Sequence, residues 1–516
     1  MKTKFLQIVT LFTISLAALP YWANAQETLV NRFTSTITEE ELRDHVYTLA
    51  ADSMEGRFTG EKGQKRAADY IAAEFDRSGV ATITGEERFQ EFRLEKCTWY
   101  LGQLSHRQKI LNYPNDFVLL DEPLEGRKNL AAVFGGFGLM TESYSDLAGL
   151  DVEGKVIIAF SGEPEREDGK YAVSGTDEVS RASRFWMKFR QARELGAAGM
   201  ILLTEKDRDF NKYQKQYQEN RKRRGIDYPD TKDTVDFFGL YTTTGNAAIL
   251  LDVDEKELLR AYQGLGKEEG SEILGKEENI TLNFRKNCSY INTENVAGFV
   301  EGSGRKDEYI VVVAHYDHLG KDGRKVYSGA DDNASGTAAV MEIAEAFEKA
   351  ADEGFRPQRS VIFLLVSAEE LGLYGSRYFT ENSPVPLDKI YAVLNIHMIV
   401  RYTDRFKDDT DYIWGWGYRS KEIVEVARQQ TSVTAPGLDF KITYSDRRGG
   451  GSDHYYFVKE GIPGIFFFTG THKDYHQTGD VPKKLLYGRM EKIVRSIFAT
   501  AYHLANREQP LVIEEE

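Results

Sequence analysis

From residue 295 onwards, continuous apolar runs alternate with amphipathic stretches along the chain. The runs lack a period of two and so predict strands buried on both faces, at Tyr309–Val313, Ser360–Val366, Tyr391–Ile396 and Ile465–Phe468. The amphipathic stretches carry apolar residues at helical spacing and predict helices at 335–350, 421–430 and 485–505. Strands that alternate with helices in this way predict an α/β fold, with a mostly parallel sheet between helices.

The residues before this region have two different patterns. Thr38, followed by three glutamates, is typical of a helix N-terminus, and apolar residues at helical spacing predict a second helix over 63–78. Residues 98–288 instead contain short β-type runs separated by glycine turns, together with a predicted helix at 185–195. Within this middle part, the segment 205–232 is charged and includes the basic run Arg221–Arg224.

The composition is that of a folded, acidic chain. Its 516 residues are enough for two to four domains, and 41% of them are apolar. A net charge of −15 repels phosphate backbones, so no nucleic-acid partner is expected, and the basic run Arg221–Arg224 is interpreted as solvated. The mean hydropathy is −0.47. After residue 25 no apolar run is long enough to span a bilayer, so no transmembrane segment is expected there.

Residues 1–25 have the pattern of a secretory signal peptide. Lys2 and Lys4 form a basic start, Phe5–Leu19 is mostly apolar, and small residues precede a cleavage site after Ala25. We expect the segment to be removed and the mature protein to be secreted or periplasmic. A buried N-terminal helix is the alternative interpretation.

The chain has two cysteines, Cys97 and Cys288. Neither lies near the leader, so a lipid anchor there is not expected. In an oxidising compartment the two can form a disulfide, and two separate buried thiols are the alternative.

Polar residues gather where the predicted strands end. Five separate segments supply them: His315–Asp317, Asp331–Asn333, Glu369–Glu370, His397 and Asp474–His476. In open α/β sheets the ligand crevice lies outside the carboxyl ends of the strands. A single residue of this kind is more often a cap or a solvated group. Five segments that bring His, Asp and Glu to one edge predict a functional site.

The residue types indicate a metal centre. Imidazole and carboxylate ligands without thiolate suit zinc or a similar divalent ion, with one position open to water. A carboxylate that bridges two ions leaves each ion with two further protein ligands. We therefore predict Asp332 as the bridge, with His315 and His397 on one ion and Glu370 and His476 on the other.

Two further acids are predicted to act in catalysis. Glu369, next to the ligand Glu370, is expected to be the general base that takes a proton from the attacking water. Asp317, two residues after His315, is expected to accept the second N–H of that imidazole and so hold its tautomer.

The segments around these residues resemble the co-catalytic zinc exopeptidases, a family that includes bacterial leucyl aminopeptidases, plasma glutamate carboxypeptidase and the glutaminyl cyclases. The matching segments are 314–317, 328–336, 367–376, 451–454 and 474–476. They stand in the family's order and cover residues 295–505, and the first helices, within 37–95, are also similar.

The resemblance implies a zinc aminopeptidase-like domain made of residues 26–97 and 289–516, with a β-rich protease-associated domain inserted at 98–288. Gly154–Val156 and Gly196–Gly199 are the marks of this insert. On this resemblance Cys97 and Cys288 stand at the two ends of the insert, which favours their pairing. The resemblance also implies a cis peptide bond between Asp332 and Asn333.

One position departs from the family's pattern, because His397 stands where aspartate is usual. Histidine is still a zinc ligand, but the change removes one negative charge, which should weaken the binding of that ion and alter its metal preference. The alternative is that His397 does not coordinate and that the enzyme uses one ion.

Together these observations predict an exported zinc peptidase that removes residues from the amino end of peptides. Tyr475 is a candidate donor to the developing oxyanion, with a packed aromatic as the alternative, and Asp453 and His454 are expected to line the substrate pocket. Three aromatic residues are expected mainly to pack in the core, with a side-chain pocket as the other possibility: Trp414, Trp416 and Tyr418.

Three alternative functions remain open. A carboxypeptidase needs a cation for the terminal carboxylate, for which the candidates are Arg401, Arg447 and Arg448. A glutaminyl cyclase has the same fold but keeps one zinc and does not need His315 as a ligand. A binding protein that has lost catalysis would not need Glu369 and Glu370, and the presence of both argues against it.

Overall fold

The computed structural model of the chain describes residues 32–83, 85–123, 125–219, 225–229, 237–267, 270–406, 411–447 and 449–514. The chain divides into two compact units. We call Met1–Leu94 with Ile291–Glu516 the terminal unit, and Glu95–Tyr290 the middle unit. The predicted leader at 1–25, the basic run Arg221–Arg224 and Arg448 lie outside the described residues.

The strands are numbered in chain order. They are β1 (Phe89–His106), β2 (Lys109–Asn112), β3 (Phe117–Asp121), β4 (Gly126–Phe134), β5 (Val156–Phe160), β6 (Gly199–Thr204), β7 (Ile226–Asp227), β8 (Phe238–Thr243), β9 (Glu277–Val300), β10 (Arg305–His315), β11 (Lys321–Asp322), β12 (Lys325–Val326), β13 (Arg359–Val366), β14 (Ile390–Ile396), β15 (Tyr412–Tyr418), β16 (Asp439–Ser445) and β17 (Gly464–Phe468).

The α-helices are numbered in the same way. They are α1 (Glu39–Leu49), α2 (Lys62–Arg77), α3 (Phe185–Glu194), α4 (Asp207–Glu219), α5 (Thr244–Leu251), α6 (Glu255–Gly264), α7 (Gly336–Asp352), α8 (Tyr374–Glu381), α9 (Lys421–Thr434), α10 (His454–Lys459) and α11 (Tyr487–Asn506). Among the described residues, no helix combines the length and the apolar character that crossing a bilayer requires.

Helix α1 begins where the sequence predicts. The hydroxyl oxygen of Thr38 accepts a hydrogen bond from the backbone N–H of Glu41 at 3.2 Å, and the same hydroxyl donates to the Glu41 carboxylate at 2.7 Å. The first of these bonds satisfies a backbone amide that the first turn of the helix leaves unpaired. The predicted second helix is also confirmed, as α2.

The sheet of the terminal unit has the order β16-β15-β17-β14-β10-β13-β9. Its four central strands, β17, β14, β10 and β13, are mutually parallel. The β15/β17 and β13/β9 pairs are antiparallel, and β15/β16 is parallel. The prediction of a mostly parallel mixed sheet is therefore confirmed.

Both faces of this sheet are covered, as the continuous apolar runs predict. In β10, Ile310 and Val312 belong to a core that includes residues of α1, α2, α7 and α11. The alternate residues Val311 and Val313 pack in a second core with Phe379 of α8 and others. Strands that lie between two helical layers have no exposed face, which explains the lack of period-two alternation.

The middle unit contains helices as well as strands. Its strands β4, β5, β6 and β8 are parallel neighbours, with β3 antiparallel to β8. Cys97 and Cys288, close to the two ends of this unit, form a disulfide. That the unit is a protease-associated domain remains a prediction.

Part of the charged segment 205–232 is helical. Residues Asp207–Glu219 form helix α4. Phe210 and Tyr217, which are seven residues apart and so share one helix face, are buried in the core of the middle unit. The many charged residues between them obscured this apolar spacing.

Candidate metal and catalytic site

The parallel strands of the terminal unit bring two predicted ligands together. β10 ends at His315, and His397 follows the last residue of β14. In the register of these strands Val313 pairs with Asn395, each two residues before the histidine in question. The two imidazoles therefore leave the sheet side by side, with their Nε2 atoms 3.3 Å apart.

The first donor set consists of His315, His397 and Asp332. The Oδ1 atom of Asp332 lies 3.4 Å from Nε2 of His315 and 3.2 Å from Nε2 of His397. Three ligand atoms bound to one zinc at about 2.0–2.1 Å in tetrahedral geometry are about 3.3 Å apart. The three distances observed here fit one face of such a tetrahedron.

The second donor set consists of Asp332, Glu370 and His476. Nε2 of His476 lies 3.1 Å from Oδ2 of Asp332 and 3.1 Å from Oε2 of Glu370. Asp332 therefore presents a different oxygen to each donor set. This arrangement is what a carboxylate that bridges two ions requires.

The charge on Asp332 is strongly favoured in this environment. Burial by itself would raise the pKa of its carboxyl, but hydrogen bonds with His315, His397 and His476 outweigh burial and hold the pKa well below its usual value. The peptide bond between Asp332 and Asn333 is cis, in agreement with the sequence resemblance.

A buried arginine holds the loop that leads to Asp332. The Arg57 guanidinium donates to the carbonyl oxygens of Ser328 at 2.8 Å and Gly329 at 2.9 Å. It also donates to the carbonyl oxygens of Tyr316 at 2.7 Å and Leu49 at 2.5 Å. These four bonds tie the segment after β10 and the segment before Asp332 to one fully buried side chain.

The adjacent acids Glu369 and Glu370 have pKa values that move in opposite directions. Burial raises the pKa of Glu369 well above its usual value, and the nearby His315 offsets this only in part. For Glu370, burial and the nearby Asp332 are outweighed by His318 and His476, which lower its pKa to about 2. Two acids that diverge in this way suit one proton acceptor and one permanently ionised ligand.

The role predicted for Asp317 needs correction. Nδ1 of His315 lies 3.2 Å from the backbone carbonyl oxygen of Asp317, whereas the nearest carboxylate oxygen is 3.8 Å away. The carboxylate instead accepts from the Thr59 hydroxyl at 2.9 Å and from the backbone N–H of Glu369 at 3.1 Å. Asp317 therefore supports the His315 tautomer through its main chain, and its side chain positions Glu369.

The residues predicted to contact substrate occupy different places. Asp453 is fully buried, and neither of its carboxylate oxygens makes a hydrogen bond to a described residue. Burial raises its pKa, and the His315 and His397 rings oppose this only in part. Tyr475 stacks on His476, a predicted ligand, with ring centroids 3.8 Å apart.

His454 does not fit the predicted pocket. Its ring is fully buried and stacks between Tyr418 and Phe466, at centroid distances of 4.9 and 4.8 Å. Burial lowers its pKa to about 3, so the ring is neutral. Its Nδ1 atom lies 3.1 Å from Nδ2 of Asn395. His454 is therefore linked to the first donor set through Asn395 and through Phe466, whose ring also contacts His397.

The aromatic residues of β15 pack rather than form an open pocket. Trp416 stacks on Phe466 and Trp414 contacts Phe468. Tyr418 is buried against His454. The interpretation as core packing, which the sequence favours over a side-chain pocket, is in accord with these contacts.

Sequence reasoning missed three residues that touch the donor sets or hold the loop before Asp332. Arg57 lies far from the motifs in sequence and acts through carbonyl groups, which leave no pattern. Ser452 contacts His397 but stands in a segment interpreted only as pocket lining. His318 faces Glu370 and could have been found, because it lies three residues after His315 in the same segment.

The α/β domain places paired acids and imidazoles at the carboxyl edge of its sheet. Residues 295–501 match the model of the Peptidase family M28. The resemblance read from the sequence is therefore confirmed.

Individual proteins agree with this assignment. The Arabidopsis thaliana protein named probable glutamate carboxypeptidase LAMP1 is 32% identical over 197 residues, which are 35% of this chain and 27% of that protein. A probable zinc metalloprotease of Leptosphaeria maculans is 29% identical over 219 residues, covering 37% of this chain and 50% of that protein. The chain thus spans half the length, or less, of these two relatives.

A solved structure has the same fold over nearly the whole chain. The aminopeptidase from Aneurinibacillus sp. strain AM-1 superposes with a TM-score of 0.56 at 19% identity. The superposition covers 94% of this chain and 98% of the other. At this identity the comparison establishes the fold.

Proposed function

We propose that this chain is an exported exopeptidase that binds two zinc ions and removes residues from the amino end of peptides. The observation that carries the proposal is the division of the Asp332 carboxylate. Its Oδ1 atom lies 3.2 and 3.4 Å from the two imidazoles of the first donor set, and its Oδ2 atom lies 3.1 Å from His476 of the second.

The donors fit zinc. All are imidazole nitrogens or carboxylate oxygens, and each set supplies three protein ligands, which leaves a position for water or substrate. Zinc, when bound, polarises a peptide carbonyl and makes water more acidic. A family relative that is named a probable zinc metalloprotease supports the same choice of metal.

Glu369 is the proton carrier in this proposal. Its raised pKa keeps the carboxylate basic enough to accept a proton from the attacking water and to release it to the leaving amine. The backbone N–H of Glu369 is held by the Asp317 carboxylate, so the base has a defined position. Glu370, with its pKa near 2, stays ionised as a ligand.

The preference for the amino end rests on the charges near the first donor set. The buried Asp453 carboxylate has no hydrogen-bond partner among the described residues, so a substrate ammonium can compensate its charge. A substrate carboxylate needs a cation, but Arg401 already donates to Asp474 at 2.7 Å. Asp453 and Arg401 therefore favour an aminopeptidase over a carboxypeptidase.

Export is proposed from the signal-like residues 1–25 and from the disulfide between Cys97 and Cys288, a bond that persists in oxidising compartments. Cell fractionation with mass spectrometry of the N-terminus tests this part. We expect a mature chain that starts at Gln26, outside the cytoplasm. A cytoplasmic chain that retains residues 1–25 would contradict it.

The activity is tested with peptides blocked at one end. An aminopeptidase releases free amino acids from peptides with an amidated carboxyl end and none from peptides with an acetylated amino end. The reverse result would indicate a carboxypeptidase, and cyclisation of N-terminal glutamine without release would indicate a cyclase. Binding of peptides without turnover would indicate an inactive binding protein. Metal analysis of the same protein is expected to give two zinc ions per chain.

Asp453→Asn refines the test. The variant keeps the shape of the side chain and removes its charge, so we expect KM for peptides with a free amino end to rise at least about tenfold. Glu163→Gln, at a buried acid of the middle unit, is the control for loss of a buried carboxylate and should leave KM unchanged. Equal KM values in wild type and Asp453→Asn would remove the support for amino-end binding.

A further inference from the structure

His318 is a fourth imidazole at the candidate metal site, and neither donor set uses it. It lies three residues after His315 and its side chain is fully buried. Its Nδ1 atom lies 2.7 Å from Oε1 of Glu370 and 3.8 Å from Oδ2 of Asp332. A buried ring this close to two metal ligands must affect how those ligands are presented.

The two oxygens of Glu370 face different partners. Oε1 faces Nδ1 of His318 at 2.7 Å, and Oε2 faces Nε2 of His476 at 3.1 Å. A carboxylate oxygen that accepts a short hydrogen bond donates its electrons to an ion less strongly than the other oxygen does. The contact with His318 therefore favours Oε2 as the ligand atom.

The protons of the His318 ring can be assigned from its partners. An ionised carboxylate only accepts hydrogen bonds, so Nδ1 must carry the proton that lies between it and Glu370. Nε2 is buried and makes no hydrogen bond to a described residue. A proton on Nε2 would leave a buried N–H unpaired, so the contacts favour the tautomer with its proton on Nδ1. In that tautomer Nδ1 has no free lone pair for a metal.

The backbone around His318 holds the ring in place. Its N–H donates to the carbonyl oxygen of Arg57 at 3.1 Å. Gly329 has φ of +55°, and a Cβ atom there would lie 2.6 Å from Cγ of His318. Only glycine leaves room for the ring against this backbone. The orientation of His318 is thus determined by main-chain contacts that are independent of any ion.

We propose that His318 is a positioning residue that holds Glu370 as a one-oxygen ligand of the second ion. Its Nδ1–H engages Oε1, so that Oε2 stays directed at the point shared with His476 and Asp332. This inference rests on the two-ion site proposed above. Mutation of a residue that hydrogen-bonds to a metal ligand commonly lowers metal affinity by about 10- to 100-fold.

Three substitutions of His318 separate the hydrogen bond from the bulk of the ring. His318→Ala removes the donor. His318→Asn places an amide N–H near the position of Nδ1 and should restore much of the function, whereas His318→Gln places its amide near the position of Nε2 and should not. His45→Ala is the matched control, because His45 is a buried ring whose Nε2 lies 3.0 Å from the Glu342 carboxylate, away from both donor sets.

The experiment measures zinc content and stepwise affinity by chelator competition for the full-length chain, and records the absorption spectrum after loading with cobalt(II). In His318→Ala we expect the affinity for one ion to fall about 10- to 100-fold while the other changes less than about threefold. His318→Asn should recover most of the loss, and His45→Ala should bind both ions as wild type does. The cobalt spectrum should keep the same coordination number in His318→Ala.

Three results would overturn the inference. They are unchanged affinity in His318→Ala, an equal loss of both ions without recovery in His318→Asn, and a lower cobalt coordination number in His318→Ala, which would make the ring a ligand. The wild-type stoichiometry tests the proposed function separately. If the wild type binds two ions and any of these results is obtained, only the proposed role of His318 is refuted. If the wild type does not bind a second ion, both proposals are refuted.

Discussion

Nδ1 of His397 lies 2.8 Å from Oγ of Ser452. The Nδ2 amide of Asn395 donates to the same hydroxyl oxygen, also at 2.8 Å. A serine oxygen has two lone pairs and can accept both bonds. When Nδ1 of His397 donates to Ser452, its Nε2 lone pair is free, and that atom is the one facing Asp332 and His315. Ser452 can thus stabilise the tautomer in which Nε2 of His397 is free to bind an ion.

Loss of the Ser452 hydroxyl should weaken the binding of the ion held by the first donor set, which we call the first ion. In Ser452→Ala, Nδ1 of His397 has no acceptor and the imidazole is free to adopt the other tautomer, so we expect about a tenfold lower affinity for that ion. Chelator competition measures it. Ser420→Ala is the control, since Ser420 is equally buried but its hydroxyl makes no hydrogen bond to a described residue. Equal affinities in both variants and wild type would show that Ser452 does not determine the tautomer.

The two adjacent acids should respond differently to the same substitution. Glu369→Gln keeps the shape and removes the basicity, so kcat should fall at least about 10²-fold while zinc content is unchanged. Glu370→Gln should instead lower affinity for the second ion, because a neutral amide is a poorer zinc ligand. Activity and metal content are measured on the same samples. If both variants lost metal equally, and both recovered wild-type rates when reloaded, the division of roles would be wrong.

The juxtaposition of His315 and His397 could be predicted from sequence for a simple reason. Both residues follow continuous apolar runs, and parallel neighbouring strands bring their carboxyl ends to one edge. The β10/β14 register then brings the two imidazoles together. The other predicted ligands were inferred from their residue types. They are Asp332, Glu370 and His476.

Contacts made through the main chain were not predictable in this way. Arg57 contributes to the site only through carbonyl oxygens, and any residue type supplies those. The bond from the backbone N–H of Glu369 explains why Asp317 does not reach His315 with its side chain. Sequence shows which chemical groups are present, but not which of several nearby acceptors a donor selects.

A strand next to one edge of the sheet also escaped the sequence pattern. Strand β15 contains Trp414, Gly415, Trp416 and Gly417, a composition that suggests neither a continuous apolar run nor alternation with polar residues. Gly415 is required there because a Cβ atom would lie 1.8 Å from the Phe466 carbonyl oxygen. The close approach of two antiparallel strands therefore decides this residue, and no local propensity indicates it.

Arg57 should be essential for both stability and metal binding. Arg57→Met removes a donor from four buried carbonyl oxygens, of which the Gly329 oxygen still accepts from the backbone N–H of Ala334. We therefore expect the free energy of unfolding to fall by about 3–5 kcal/mol. Because two of those carbonyls belong to the loop before Asp332, the affinity for both ions should fall as well. Denaturant unfolding and chelator competition measure the two effects.

The control is a buried arginine elsewhere in the terminal unit. Arg359 donates to the carbonyl oxygens of Leu504 and Arg507 and packs over the Tyr391 ring, away from the donor sets. Arg359→Met should lower stability by a similar amount but leave ion affinity unchanged. The same loss of ion affinity in both variants would mean that general destabilisation, and not the loop before Asp332, explains the effect of Arg57→Met.

The first ion should be the more weakly bound of the two, because its only anionic ligand is a carboxylate shared with the other ion. His397→Asp adds a negative charge and should raise the affinity for this ion without raising the affinity for the other. It also changes the response to acid. Protons compete with the ion for imidazole ligands, so the wild-type site, with two imidazoles, should release its ion at a higher pH than the variant, with one. Metal content and peptide hydrolysis are followed together in a chelator titration and a pH series. Release of both wild-type ions in one step, with identical behaviour of the variant, would show that His397 does not determine the affinity of this ion.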